Sequence, residues 1–326
     1  MGNTKSTPKW FPDFEKTLPS QAGKNIVITG TTSGTGTVAA TTMARRGASV
    51  AMLNRNSARS EAALKEVQCA APDAKVVSIE CDLLDMESVK KAAETVKTLF
   101  PDGVDILCNN AGIMNTPDKA TKQGFDEQMQ TNHLSHFLLT NELMPLLEKA
   151  ATRSGEARVV NHSSRAREGT PLEARYLEQK GGDLGGDAFA ARYERYHQTK
   201  LANAVFTFAL HDKLQANGSK VKSLVAHPGL SNTNLFNGMG TAGQFFSGAC
   251  GQTPEDGTMG ILMCMCAKDM PSGDGLYGPT KGFPQGWMSG PPEYIPPESI
   301  CVDEKAKKML WEKSVEAVTA YTKMRF

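Results

Sequence analysis

Tyr196 and Lys200 stand four residues apart in "YHQTK", ahead of "LANAVFTFALHDKL", a stretch that reads as helix. Residues at i and i+4 share one helix face. A phenol of ordinary pKa, about 10, is a poor acid or base at neutral pH, and a nearby ammonium favours its ionised form. The pair is therefore a candidate for moving a proton. The competing reading is two surface side chains. A second group of residues lies in "TGTTSGTG", where Gly30, Gly34 and Gly36 are interleaved with Thr32, Ser33 and Thr35. Glycines permit a tight turn and let backbone approach a pyrophosphate closely. A helix starting there adds free N–H groups and its positive dipole end.

These residues need elements to hold them. The runs 25–29, 49–53, 75–79, 104–108, 157–163 and 221–226 are short and nearly continuously apolar, as strands covered on both faces should be. Helical patterns over 34–46, 57–70, 86–99, 122–150 and 191–217 separate them. Such alternation implies an α/β fold: a single doubly wound Rossmann domain with a mainly parallel sheet of about seven strands. Residues 1–20 read as a flexible leader and 21–326 as the catalytic domain. Two stretches interrupt the alternation. Residues 165–190 are polar and Gly-rich and read as a flap; residues 229–253 read as a substrate loop. Both leave the carboxyl edge of the sheet, where ligands bind in such folds.

The glycine spacing Gly-x-x-x-Gly-x-Gly together with the Tyr–Lys pair resembles the short-chain dehydrogenase/reductase superfamily. Further motifs follow in order: "CDLLD" with Asp82 and Leu83, "NNAG" with Asn109, Ala111 and Gly112, "TNHLSHFLLT" with Asn132, "NHSS" with Ser163 and Ser164, and "HPGLSNT" with Pro228, Gly229, Ser231 and Thr233. The resemblance spans about residues 22–325, and "LWEKS" is like the last helix of the branch of retinol dehydrogenases and protochlorophyllide reductases. It implies a catalytic set of Asn132, Ser164, Tyr196 and Lys200, with Ser163 as the alternative serine. Tyr196 would exchange a proton with a carbonyl or alcohol oxygen, Ser164 would hydrogen-bond that oxygen, and Lys200 would also grip the nicotinamide ribose. Asn132 would distort its helix and hold a water linking the lysine to solvent. His162 departs from the family's usual apolar residue and reads as a hydrogen-bonded pocket wall. The 32-residue interval from Ser164 to Tyr196 exceeds the family's usual dozen or so.

The second strand ends in Asn54 and Arg55, without the acid that would hydrogen-bond the ribose hydroxyls of NAD and repel a 2′-phosphate. Arginine suits a phosphate, and Ser33 adds a donor, so the expected cofactor is NADP(H) rather than NAD(H). The expected reaction is that of a carbonyl reductase or alcohol dehydrogenase on a fairly apolar carbonyl or alcohol. Alternatives are double-bond reduction in a pigment or terpenoid, and a non-catalytic nicotinamide-binding sensor.

Lys plus Arg number 36 and Asp plus Glu 35. This near balance gives no sign of nucleic-acid binding. The seven cysteines include no CxxC pair, so neither a metal site nor a disulfide framework is expected. The longest apolar run, from Met259, is too short to span a bilayer. Gly2 and Ser6 match the myristoylation pattern M-G-x-x-x-[ST], flanked by Lys5 and Lys9. The expected location is the cytoplasm, with peripheral, reversible contact at the cytoplasmic face of a membrane through acylated Gly2. The sequence leaves a homo-oligomer open.

Overall fold

Strands that are apolar along their whole length are stable only when both faces are covered, and that requirement shapes the molecule. The computed structural model describes residues 7–231, 251–281 and 289–325. In chain order the elements are α1 (Phe11–Thr17), β1 (Asn25–Thr29), α2 (Gly34–Arg45), β2 (Ser49–Asn54), α3 (Ala58–Ala70), β3 (Val76–Glu80), α4 (Met86–Leu99) and β4 (Ile106–Asn109). A short helix, α5 (Glu127–Met129), then passes through a π turn (Gln130–Leu134) into α6 (Ser135–Ser154). There follow β5 (Ala157–His162), α7 (Phe189–Ala216), β6 (Val221–Ala226), α8 (Pro254–Cys266), β7 (Leu276–Lys281), β8 (Ser289–Ile295), α9 (Ser299–Val302) and α10 (Glu304–Val318).

The strands form one eight-stranded sheet in the order β3-β2-β1-β4-β5-β6-β7-β8. All pairings are parallel except β7 with β8. The eighth strand is one more than the sequence suggested. It carries Pro291 and Pro292, which an edge strand tolerates because one side of its ladder is unpaired. Alternate residues feed two cores: Ile26 and Ile28 pack with α2, α3 and α8, while Val27 and Leu53 pack with α4, α6, α7 and α10. The order of connection reverses between β1 and β4, which opens a crevice at their carboxyl ends.

The expected flexible leader over 1–20 differs in its second half. Backbone N–H groups of Lys9, Trp10 and Phe11 donate to the Asp256 carboxylate at 2.8, 2.9 and 2.8 Å. Phe11 and Leu18 are buried in the α2/α8 core. Three donors on one carboxylate and two buried side chains offset the entropy of ordering this segment. The stretch 165–190 is likewise packed down. Leu172, Tyr176, Leu177 and Leu184 are buried, and Asp118 accepts from the N–H groups of Gly182, Leu184 and Gly186 at 2.8–2.9 Å. Most of the expected substrate loop, including Thr233, lies outside the described residues. Among those described, no helix is long and apolar enough to cross a membrane.

Candidate active site

The glycine-rich turn after β1 shapes the first half of the site. Gly30 and Gly34 have φ of 69° and 60°, in the region that favours glycine. A Cβ on Gly36 would lie 2.1 Å from the Gly30 carbonyl oxygen and 2.6 Å from the Asn110 amide nitrogen. The close approach of turn and helix therefore needs glycine there. Ser33 precedes α2 without capping it, and the first turn has no acid. The free N–H groups, the dipole and the side-chain-free surface fit a dinucleotide's pyrophosphate.

Asn110, overlooked in the sequence, braces this turn. Its Oδ1 accepts from Thr35 Oγ1 at 2.9 Å and its Nδ2 donates to Thr29 O at 2.9 Å. Thr29 Oγ1 accepts from the N–H groups of Asn110 and Ala111, both at 3.0 Å. It also lies 2.9 Å from His136 Nε2, while His136 Nδ1 lies 3.0 Å from Asn132 O. A carbonyl only accepts, so Nδ1 carries the proton and Nε2 accepts from the threonine. Burial pulls His136 down to about 4, in keeping with that neutral ring.

Two residues expected at the cofactor have side chains that bond to the protein. Asn54 is buried and spends both ends of its amide on Thr31, accepting at 2.7 Å and donating at 2.8 Å. Asn109 is buried and donates to Thr140 Oγ1 and Asn161 Oδ1, bracing β4 against α6 and β5. Each lies at the end of a strand, with its amide nitrogen already engaged by protein groups. Arg55 is exposed just beyond β2. Four residues on stands a cation that the sequence reading passed over: Arg59, in the first turn of α3, with Nη2 3.5 Å from Ser33 Oγ. The pair in "NRNSAR" was the available signal. Asp82 and Leu83 follow β3, where Asp82 Oδ1 accepts from Leu84 N and Leu83 is buried. Pro228, Gly229 and Ser231 follow β6, with Ser231 Oγ donating to Pro228 O at 2.9 Å.

The second half of the site lies on α7 and after β5. Asn132 sits inside the π turn, where Oδ1 accepts from Ile113 N at 2.8 Å and Nδ2 donates to Ile113 O and Thr199 Oγ1, both at 2.9 Å. Ala111 leads into Gly112, whose missing Cβ would lie 3.2 Å from Lys200 Nζ and 3.4 Å from Asn132 Oδ1. Lys200 Nζ also donates to His162 O at 3.2 Å. His162 Nδ1 lies 3.1 Å from Asn110 Oδ1, so this ring is a hydrogen-bonded wall.

The two serines part company. Ser163 is fully buried and donates to the Lys200 carbonyl at 2.7 Å, so its hydroxyl is spent on α7. Ser164 Oγ accepts from Ala166 N at 3.1 Å, and its hydroxyl is close enough to the Tyr196 phenol to favour the ionised form. Lys200 Nζ lies 5.7 Å from the centre of the Tyr196 ring. The sequence suggested that the ammonium would make the phenol more acidic, but burial dominates. It pushes Tyr196 well above the ordinary phenol value, against a smaller downward pull from Ser164. It also pulls Lys200 down to about 8. At neutral pH the phenol keeps its proton and most of the amine remains ammonium.

The sequence model of the short chain dehydrogenase family matches residues 24–182. Mouse retinol dehydrogenase 14 is 32% identical over 90% of this chain and 85% of its own. Human polyprenol dehydrogenase is 28% identical over 93% of this chain and 87% of its own. Among solved structures, an uncharacterized protein from Mycobacterium paratuberculosis superposes with a TM-score of 0.75 at 32% identity, covering 96% of this chain and 98% of that one.

Proposed function

The chain belongs to the short-chain dehydrogenase/reductase family, and from that premise we propose that it is an NADP(H)-dependent oxidoreductase acting on a fairly apolar carbonyl or alcohol. The observation that carries this reading is the convergence of Ser164, Tyr196, Lys200 and Asn132 beside a glycine cradle suited to a pyrophosphate. NADP(H) would supply or accept the hydride. Tyr196 gives its proton to the carbonyl oxygen in reduction and recovers it in oxidation. Ser164 holds that oxygen and stabilises the charge that develops on it. Lys200 stays cationic below about pH 8, grips the ribose and eases ionisation of Tyr196 when the alcohol is oxidised. Asn132 fixes the Ile113 backbone and Thr199, and so the floor beneath Lys200.

The preference for a 2′-phosphate rests on Ser33, Arg55 and Arg59, with no acid facing them at the end of β2. The apolar substrate class is supported by two similar proteins, a retinol and a polyprenol dehydrogenase. Gly2 and Ser6 lie outside the described residues. Acylation of Gly2 remains part of the proposal, to be read by intact mass of protein from its native cells with a Gly2→Ala control. The enzymatic test follows NADPH oxidation across a panel of aldehydes and ketones. Tyr196→Phe should lower turnover by ~10²–10⁴-fold, the range of general acid catalysis, with NADPH affinity near the parent's. Near-parental turnover in that variant would exclude Tyr196 as the acid.

A further inference from the structure

Phe189, Tyr193 and Tyr196 occupy positions i, i+4 and i+7 of α7 and so lie along one helix face. The rings of Phe189 and Tyr193 stack at 6.2 Å and 23°. Those of Tyr193 and Tyr196 lie 6.4 Å apart at 54°. Exposure falls along this series from 56% to 43% to 3%. Among the described residues only Tyr294 is a comparably exposed large apolar side chain. It is accounted for locally, since its hydroxyl donates to Asp274 O and its ring packs edge-on against Tyr277. Among the described residues, the ring contacts of Phe189 and Tyr193 are those with each other and with Tyr196, and both rings stay exposed. A contiguous exposed aromatic surface commonly marks a binding site.

The backbone beneath these rings is tied down. Arg195 is fully buried and donates to Gly186 O at 2.8 Å and Thr116 O at 3.1 Å. Arg192 pairs with Asp187 at 3.5 Å. Asp118, within 3.7 Å of Arg195, gathers the N–H groups of Gly182, Leu184 and Gly186. The start of α7 is therefore held in place while its aromatic face is left to solvent. The seven-residue span, at 1.5 Å rise per residue, makes the series about 10 Å long. Its inner end is the phenol assigned to proton transfer.

We propose that Phe189 and Tyr193 form an aromatic rail that holds the apolar tail of the substrate while its reacting carbon sits at Tyr196. This rests on the reductase reading above and deepens it. The two residues discriminate between substrates by tail length, favouring tails of about 10 Å or more. The occupant is a substrate tail rather than a protein partner because the rail runs without a break into the reactive phenol.

The test compares hexanal with tetradecanal in the parent, in Phe189→Ala/Tyr193→Ala and in Phe189→Leu/Tyr193→Leu. The alanine pair should lose about 10-fold or more in kcat/KM for tetradecanal and far less for hexanal, as expected from losing two aromatic contacts with a tail. The leucine pair, which restores apolar area, should recover most of the loss. Equal falls for both aldehydes, or no fall, would overturn the rail. Calorimetric binding of 1-tetradecanol provides a readout independent of turnover. A weaker affinity in the alanine pair supports the rail even if no aldehyde is reduced, in which case the reductase reading fails and the rail stands. Unchanged affinity overturns the rail.

Discussion

Lowering the pH from 7 to 5 should destabilise this protein through histidines it buries as neutral rings. His133 is fully buried between Phe137 and Phe206, with Nε2 2.8 Å from Ser314 Oγ. Burial pulls it down to about 3, His162 to about 3 and His136 to about 4. In the unfolded chain each titrates near 6.5, so below that pH the unfolded state binds more protons and stability falls. At pH 5 each ring is about 1.5 pH units below its unfolded value and still neutral in the fold, a cost of about 2 kcal/mol each and about 6 kcal/mol for three. Asp126 acts in the opposite sense. Burial raises it to about 6, so it takes up a proton in the fold as the pH falls through 6, which returns roughly 1 kcal/mol. Lys200 is protonated in both states throughout this window and adds no slope. The expected net loss is on the order of 4–5 kcal/mol, a large share of a typical domain's stability. His227, pulled well below its usual value by burial, acts in the same direction. Urea unfolding at pH 7, 6 and 5 measures the loss, and His133→Gln should reduce the proton uptake on unfolding at pH 5 by about one. A loss under about 1 kcal/mol, or an unchanged slope in His133→Gln, would refute the argument from burial.

The remaining expectations concern single contacts. Arg55→Ala and Arg59→Ala should each weaken NADPH binding by roughly 1.5–3 kcal/mol, the worth of a hydrogen bond to a charged group, and leave NADH nearly untouched; equal effects on the two cofactors would remove the 2′-phosphate assignment. Ser164→Ala should lower kcat with the fold intact, whereas Ser163→Ala, which strips a buried hydrogen bond from the Lys200 carbonyl, should lower the Tm first; the reverse pattern in paired melting and kinetic measurements would exchange their roles. Asp256→Ala leaves the N–H groups of Lys9, Trp10 and Phe11 without their acceptor and should cost about 1–3 kcal/mol. Faster amide exchange confined to residues 11–17 and their contacts would confirm that α1 has come away, and unchanged exchange would contradict it.

What the sequence disclosed and what it withheld divide along a physical line. The six named strands and the helices between them were legible because a buried parallel strand must be apolar along its whole length, and "NIVIT" and "VKSLVA" can hardly be anything else. β7 and β8 were not located, because "LYGPTK" and "SGPPEYI" owe their strand state to pairing with each other and the sheet rather than to their own residues. The site residues were legible as types and spacings, but their directions were not. Asn54 and Asn109 read as polar residues at strand ends, and only the folded structure shows their side chains bonded to Thr31 and Asn161. Arg59 lay four positions past Arg55, and nothing in the chain order announces that α3 carries it back to Ser33.

The balance of forces at Tyr196 was the least legible of all. A Tyr–Lys pair read in one dimension suggests an acidified phenol, because the charge is nearby in sequence and desolvation has no letter. In three dimensions the phenol is 3% exposed, and burial outweighs every polar neighbour. The same burial draws Lys200 to about 8, so the ammonium that would assist the phenol's ionisation fades as the pH passes that value. The two shifts bear on one reaction in opposite ways. Reduction needs a protonated Tyr196, which burial preserves well past neutral pH. Oxidation needs the phenolate, which burial disfavours, and so depends more heavily on Lys200 staying charged. Replacing Lys200 by methionine should therefore cost the oxidative direction more than the reductive one at pH 7, when kcat is measured both ways on the same alcohol–carbonyl pair. Equal losses would show that the lysine's service is to hold the cofactor alone.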